Sequence, residues 1–199
     1  MKKILWSALF LLSIMAVSCN SNKRNASDSL RKSHVTPDTT DYVVLSKIVG
    51  DSIYTKSLNG NKENVFFSKP ALVYQEVFGS LTQGDTLAIV GNQTSKNLIS
   101  SVNLSEMLGL WMTDGNTEGM RLSFDGGAAS VNMNDVALKS WDLYNGRFIM
   151  TYVRSQDANA KEISDTSKIE YLSRKAIKIK FNRKEYTMQH PTLIKLHRK

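Results

Sequence analysis

The chain has 199 residues, and a hydrophobic share of 41% supports a packed core of one ordinary domain or two small ones rather than disorder throughout. One Cys and three His exclude an intramolecular disulfide framework and a thiolate cluster, and leave little for His-based metal chemistry. A formal net charge of +8 puts nucleic acid first among the partners to test.

Lys2 and Lys3 precede an almost wholly apolar run over residues 4–17, interrupted only by Ser7 and Ser13. Fourteen residues are too few to span a bilayer, which takes at least roughly 17, and fit the apolar region of an export signal. The run ends in Ala16-Val17-Ser18-Cys19, small residues followed at once by the sole Cys. This resembles the lipobox of bacterial lipoproteins. The resemblance implies a signal peptide over residues 1–18, cleavage before Cys19 and lipidation of Cys19, giving an N-terminal lipid anchor to the membrane. The following Asn20-Ser21-Asn22-Lys23-Arg24 lacks both the Asp that favours inner-membrane retention and the acidic run linked to surface export in Bacteroidetes. By resemblance, the place is the cell outer membrane, facing the periplasm. Residues 19–41 are rich in Ser, Asn, Thr, Asp, Lys and Arg and read as a flexible tether.

Residues 42–102 form the first module. Spans 42–48, 52–57, 64–68, 71–78, 86–90 and 96–102 are predicted strands, rich in β-branched and aromatic residues. Gly50-Asp51, Asn59-Gly60 and Gln83-Gly84-Asp85 supply turn chemistry, Asn59-Gly60 suiting a two-residue hairpin. Five or six short strands suggest a small OB-like or SH3-like barrel. Asn103 is a candidate N-cap for a short helix, with Glu106 at its third position.

Residues 103–199 form the second module, with predicted strands over 110–113, 119–124, 128–133, 136–141, 147–154, 167–172, 176–182 and 185–190. Met120, Leu122 and Phe124 alternate with Arg121 and Ser123, and Ile177, Ile179 and Phe181 alternate with Lys178 and Lys180. A period of two with apolar residues inward is what a half-buried antiparallel strand requires. Eight such strands argue for an up-and-down barrel or a sandwich, so the fold class is all-β.

Gly109-x-Trp111 on the opening strand looks like the Gly-x-Trp signature of lipocalins. Gly119-Met120 with Leu122, the run 127–133, Trp141, and Asp165-Thr166 before Ile169 resemble the lipocalin-like domain of Bacteroidetes lipoproteins. The resemblance implies an eight-stranded up-and-down barrel whose narrow end Trp111 plugs.

The chain carries no HxH, HExxH, GxSxG, GxxxxGK[ST] or GxGxxG pattern, so no enzyme activity and no cofactor are expected. The loop acids Asp114, Glu118 and Asp125 match no EF-hand spacing, and no metal site is expected. Barrel geometry points instead to binding, since eight strands either fill with side chains or enclose one small ligand. The candidate ligand-binding residues are Trp111, Met120, Leu122, Phe124, Met133, Trp141, Phe148, Met150, Tyr152, Ile177, Ile179 and Phe181, which would line a pocket for a small apolar or amphipathic molecule. The alternative is a non-catalytic interaction or structural protein of the envelope, with a filled barrel docking a protein or glycan. Most of the excess positive charge falls in residues 160–199 and includes Arg174, Lys175, Lys178, Lys180, Arg183, Lys184, Lys195, Arg198 and Lys199. Either it is a solvated barrel face, or it meets anionic lipid or acidic glycan. Export from the cytoplasm argues against nucleic acid as a partner.

Overall fold

β-Branched and aromatic residues at a period of two build the first sheet of the computed structural model, which describes residues 36–58, 60, 62–154 and 160–191. Its strands are β1 (Thr40–Val49), β2 (Ser52–Ser57), β3 (Glu63–Phe67), β4 (Val77–Phe78), β5 (Thr86–Gly91) and β6 (Leu98–Asn103), in the order β3-β2-β1-β5-β6-β4. A parallel bridge from Phe67 to Asn97 brings the end of β3 against the start of β6. A meander, a helix and then a hairpin returning beside β1 is the strand order of a small OB-type barrel. Val43, Leu45, Ile53, Phe66, Leu87, Ile89 and Leu98 fill it.

Two local expectations change here. Span 71–78 is not one strand: Lys69–Val73 is helix α1, followed by the two-residue β4. Pro70 opens the helix, where its missing N–H removes no bond, and Tyr74 N donates to Pro70 O at 3.1 Å. The β2–β3 connection is longer than a two-residue turn, because Ser57 N donates to Lys62 O at 3.1 Å across it. Asn59 lies outside the described residues.

Helix α2 (Leu104–Met107) links this sheet to nine further strands: β7 (Gly109–Met112), β8 (Gly119–Leu122), β9 (Ala128–Val131), β10 (Ala137–Tyr144), β11 (Arg147–Val153), β12 (Ile163–Ser167), β13 (Ile169–Leu172), β14 (Ala176–Phe181) and β15 (Lys184–Gln189). They run up and down in two sheets, β10-β11-β12 and β13-β14-β15-β7-β8-β9. The run 163–172 breaks only at Lys168, so its first part pairs with β11 and its second with β14, turning a corner between the sheets. Ser130 Oγ donates to Val136 O and accepts from Leu138 N, joining β9 to β10 where their backbones do not pair as a ladder. Two tight hairpins have positive φ at both central residues, Asn145-Gly146 (48° and 76°) and Asn182-Arg183 (48° and 61°).

The described residues from Asp38 onward pack as one compact unit. Phe78, Ala88 and Val102 of the first sheet join Leu104 and Met107 of α2 in the same apolar core as the barrel residues. At that junction Asn103 accepts from Glu106 N at 3.1 Å as the expected N-cap. Glu106, whose side chain is only 3% exposed, does not return to Asn103 N–H. Its carboxylate accepts instead from Ser80 Oγ (2.6 Å), Ser80 N (3.1 Å) and Arg174 Nε (3.2 Å). The helix cap thereby becomes a polar clamp between the first sheet and the β13–β14 turn.

Candidate ligand-binding site

Eleven of the twelve candidate residues share one buried cluster: Trp111, Met120, Leu122, Met133, Trp141, Phe148, Met150, Tyr152, Ile177, Ile179 and Phe181. Trp111 is fully enclosed, its Nε1 donating to Met107 O at 2.8 Å and its ring meeting His190 edge-on at 6.0 Å. Trp141 stacks on Phe148 at 6.4 Å and donates to Ser123 O at 2.8 Å. Tyr152 donates to Asp165 Oδ2 at 2.7 Å and leans on Phe181, which stacks on Tyr186 at 4.4 Å. A side chain bordering a void large enough for water retains accessible area. Trp111, Met120, Phe148, Met150, Tyr152, Ile177 and Ile179 retain none, so the centre of this barrel is filled by its own side chains. Tyr186 and Met188 belong to the same interior and were legible from the alternation Glu185-Tyr186-Thr187-Met188-Gln189, with the middle aromatic and sulfur facing in.

Phe124 is the correction. It is 63% exposed, not inward. Strand β8 ends at Leu122, and the chain then turns tightly, with Ser123 N donating to Gly127 O and Gly126 N to Ser123 O. The period of two that places Met120 and Leu122 inside has no meaning beyond that point.

The turn carries Phe124 into a groove of about 570 Å³ lined by Tyr42, Leu58, Leu104, Phe124, Asp125, Gly126, Trp141 and Asp142. Its walls thus come from β1, the loop after β2, α2, the β8–β9 turn and β10. The volume lies within the ordinary range for small-ligand sites, roughly 300–1,000 Å³. Two carboxylates border the aromatic walls. Asp125 Oδ1 accepts from Gly127 N at 3.0 Å and Asp142 Oδ1 from Leu143 N at 2.7 Å. Burial, then the carboxylates of Asp142 and Asp38, push the Tyr42 phenol above its ordinary range. The groove is therefore apolar on its walls and negative at its edge.

A latch holds β1 beside this groove. Asp38 Oδ1 accepts from Thr40 Oγ1 (2.7 Å), Thr40 N (3.0 Å) and Asn145 N (3.0 Å), while Thr39 donates to Asn145 Oδ1. Burial would raise the Asp38 carboxyl, but these donors outweigh it and hold it below the usual value.

Among the described residues, only some of the remaining charged groups are paired. Lys178 lies between Glu170 and Glu185, 2.9 Å from each, Lys184 pairs with Asp135, and Arg174 with Glu106. A second cleft of about 550 Å³ lies at the clamp, lined by Asp85, Ser105, Glu106, Leu108, Arg174, Lys175 and His190. Asp114 Oδ1 is occupied by Gly115 N. Among the described residues no three His, Cys, Asp or Glu come together as metal ligands. Cys19, the signal, the tether through residue 35, and Lys195, Arg198 and Lys199 lie outside the described residues.

Comparison with known proteins adds a family to this geometry. Residues 103–190 match the lipocalin-like family. A solved structure of a lipocalin-like protein from Bacteroides thetaiotaomicron VPI-5482 is 23% identical, the match covering 42% of this chain and 94% of that one, with a TM-score of 0.35. No curated protein matches the chain. The protein is all-β and carries a lipocalin-like domain in its C-terminal half.

Proposed function

We propose that this is a non-catalytic binding protein of a bacterial envelope, lipid-anchored through Cys19 at the periplasmic face of the outer membrane. It takes a small amphipathic molecule in the groove beside Phe124 rather than inside the barrel. One observation carries the reading: a large aromatic side chain, 63% exposed, stands in an apolar groove whose barrel neighbours are packed solid. Exposing a phenyl ring costs solvation free energy that an apolar ligand body would recover. Tyr42, Leu58, Leu104 and Trp141 supply the other walls, and Asp125 and Asp142 suit a ligand head that donates hydrogen bonds or carries positive charge. The match to a lipocalin-like family supports a binding role and leaves the ligand to chemistry.

The test is native mass spectrometry of the chain from residue 20 onward, exported behind a signal peptide that is removed without lipidation. The reading predicts an adduct that organic extraction removes and that Phe124→Ala loses. An adduct that survives Phe124→Ala, or none from either chain, contradicts it. Anchoring is tested separately by the mass of the N-terminal peptide of the native protein, where acyl groups on Cys19 are expected and an unmodified or absent Cys19 would refute the anchor.

A further inference from the structure

The first sheet presents an apolar outer surface that no element among the described residues covers. Backbone pairing places Val49 beside Ser52, Ser52 beside Phe67, and Phe67 beside Asn97, one row across the outside of the sheet. Val49 and Phe67 are exposed in that row, and Ile99, between buried Leu98 and Ser100, points outward from the adjoining strand. Helix α1 closes the same end with three successive large apolar residues in water: Leu72, Val73 at 67% and Tyr74 at 76% exposure. Only Ala71 of that helix is buried. Ordinary surfaces scatter such residues singly; a contiguous group marks a contact.

Its border says which kind. Lys69 opens α1, Lys96 accepts the Phe67 N–H on its carbonyl at 2.7 Å, and Arg147 and Lys168 line the about 600 Å³ hollow beside Tyr74 and Ile99. Lys168 is paired with Glu76 at 2.6 Å, while no carboxylate of the described residues pairs with Lys69, Lys96 or Arg147. Asp51, beside Ser52, is the nearest acid in sequence to the row. Apolar side chains ending in a phenol, ringed by cations, match an interface of acyl chains below and anionic headgroups above. We propose that this face, Val49, Phe67, Ile99 and Leu72–Tyr74 at the end of α1, rests on the lipid surface to which Cys19 is anchored. The inference rests on the anchoring part of the reading above and not on the Phe124 groove. Sixteen residues separate Cys19 from Thr36, a span of at most roughly 60 Å, which is ample for a contact by any face of so small a unit. One weak insertion becomes effective because the anchor makes it intramolecular.

The sole Cys gives a direct test. The chain from Cys19, carrying Tyr74→Trp, is coupled through Cys19 to maleimide lipid in vesicles of phosphatidylethanolamine and phosphatidylglycerol at 3:1. Its other tryptophans, Trp111 and Trp141, are buried. The expected result is a blue-shifted emission quenched several-fold more by brominated acyl chains than in the Tyr74 parent. Quenching falls when phosphatidylglycerol is removed or Lys69→Gln and Lys96→Gln are introduced together, and disappears in Leu72→Ser/Val73→Ser. Unquenched emission overturns the inference. So does concentration-dependent dimerisation of the uncoupled chain that Val73→Asp abolishes, since a second copy then covers the face. The same samples titrated with an amphipathic probe report the Phe124 groove independently, so either idea can fail without the other.

Discussion

At the scale of single residues, three positions make the packing testable. The Tyr186 hydroxyl is buried with no hydrogen-bond partner, and such an orphan costs about 1–3 kcal/mol. Tyr186→Phe keeps the ring stacked on Phe181 and removes the orphan, so urea denaturation should find it as stable as wild type or up to about 2 kcal/mol more stable; a loss would mean the hydroxyl has a partner. Gly146 has φ of +76°, and a β-carbon there would overlap Ser100 Oγ. Gly146→Ala is therefore expected to destabilise by about 1–3 kcal/mol, from backbone strain and the collision together. The Asp38 carboxyl is held below its ordinary 3.8. Its contribution to stability is present above that value and is lost as pH falls through the lower folded value. Asp38→Asn should lower the melting temperature at neutral pH and flatten the acid limb of the melting curve below the ordinary carboxyl value of 3.8. An unchanged limb would place acid sensitivity elsewhere.

At the scale of elements, helix α2 shows what sequence can and cannot say. Asn103 as N-cap was legible, because an Asn three residues before Glu ahead of apolar residues is a start signal. The destination of Glu106 was not, since its partners Ser80 and Arg174 are 26 and 68 residues away. Asn103→Ala removes the cap and the bonds to Ser80 O and Asp85 and should cost about 2 kcal/mol, read by thermal or urea unfolding. A cost near zero would mean that the clamp does not depend on Asn103. Strands with clean alternation, such as β14, were placed because one face must be buried. Span 71–78 misled because Leu72, Val73 and Tyr74 have the composition of a strand, while Pro70 and the barrel end beneath Ala71 make it a helix. The strand before the corner at Lys168 was illegible: β12, Ile-Ser-Asp-Thr-Ser, has one apolar residue, and only its pairing with β11 makes it a strand, so the predicted span began at 167.

At the scale of the whole molecule, the barrel interior was largely readable and the binding groove was not. Alternation names the inward residues, yet it cannot tell a lined cavity from a filled core, because both demand the same apolar pattern. Here Met120, Met150, Phe148 and Tyr152 belong to one core and keep no exposed area. The groove assembles Tyr42, Leu58, Leu104, Phe124 and Trp141, residues up to about 100 positions apart, so only the packing of the first sheet against the lipocalin-like half creates it. The most direct measurement is the affinity of a dansylated long-chain amine for the wild type, Phe124→Ala and Met150→Ala. Binding in the groove predicts at least a tenfold loss with Phe124→Ala, about 1.4 kcal/mol, and an unchanged dissociation constant with Met150→Ala. Unchanged binding with Phe124→Ala, together with a large change in Met150→Ala, would place the ligand inside the barrel and contradict the account.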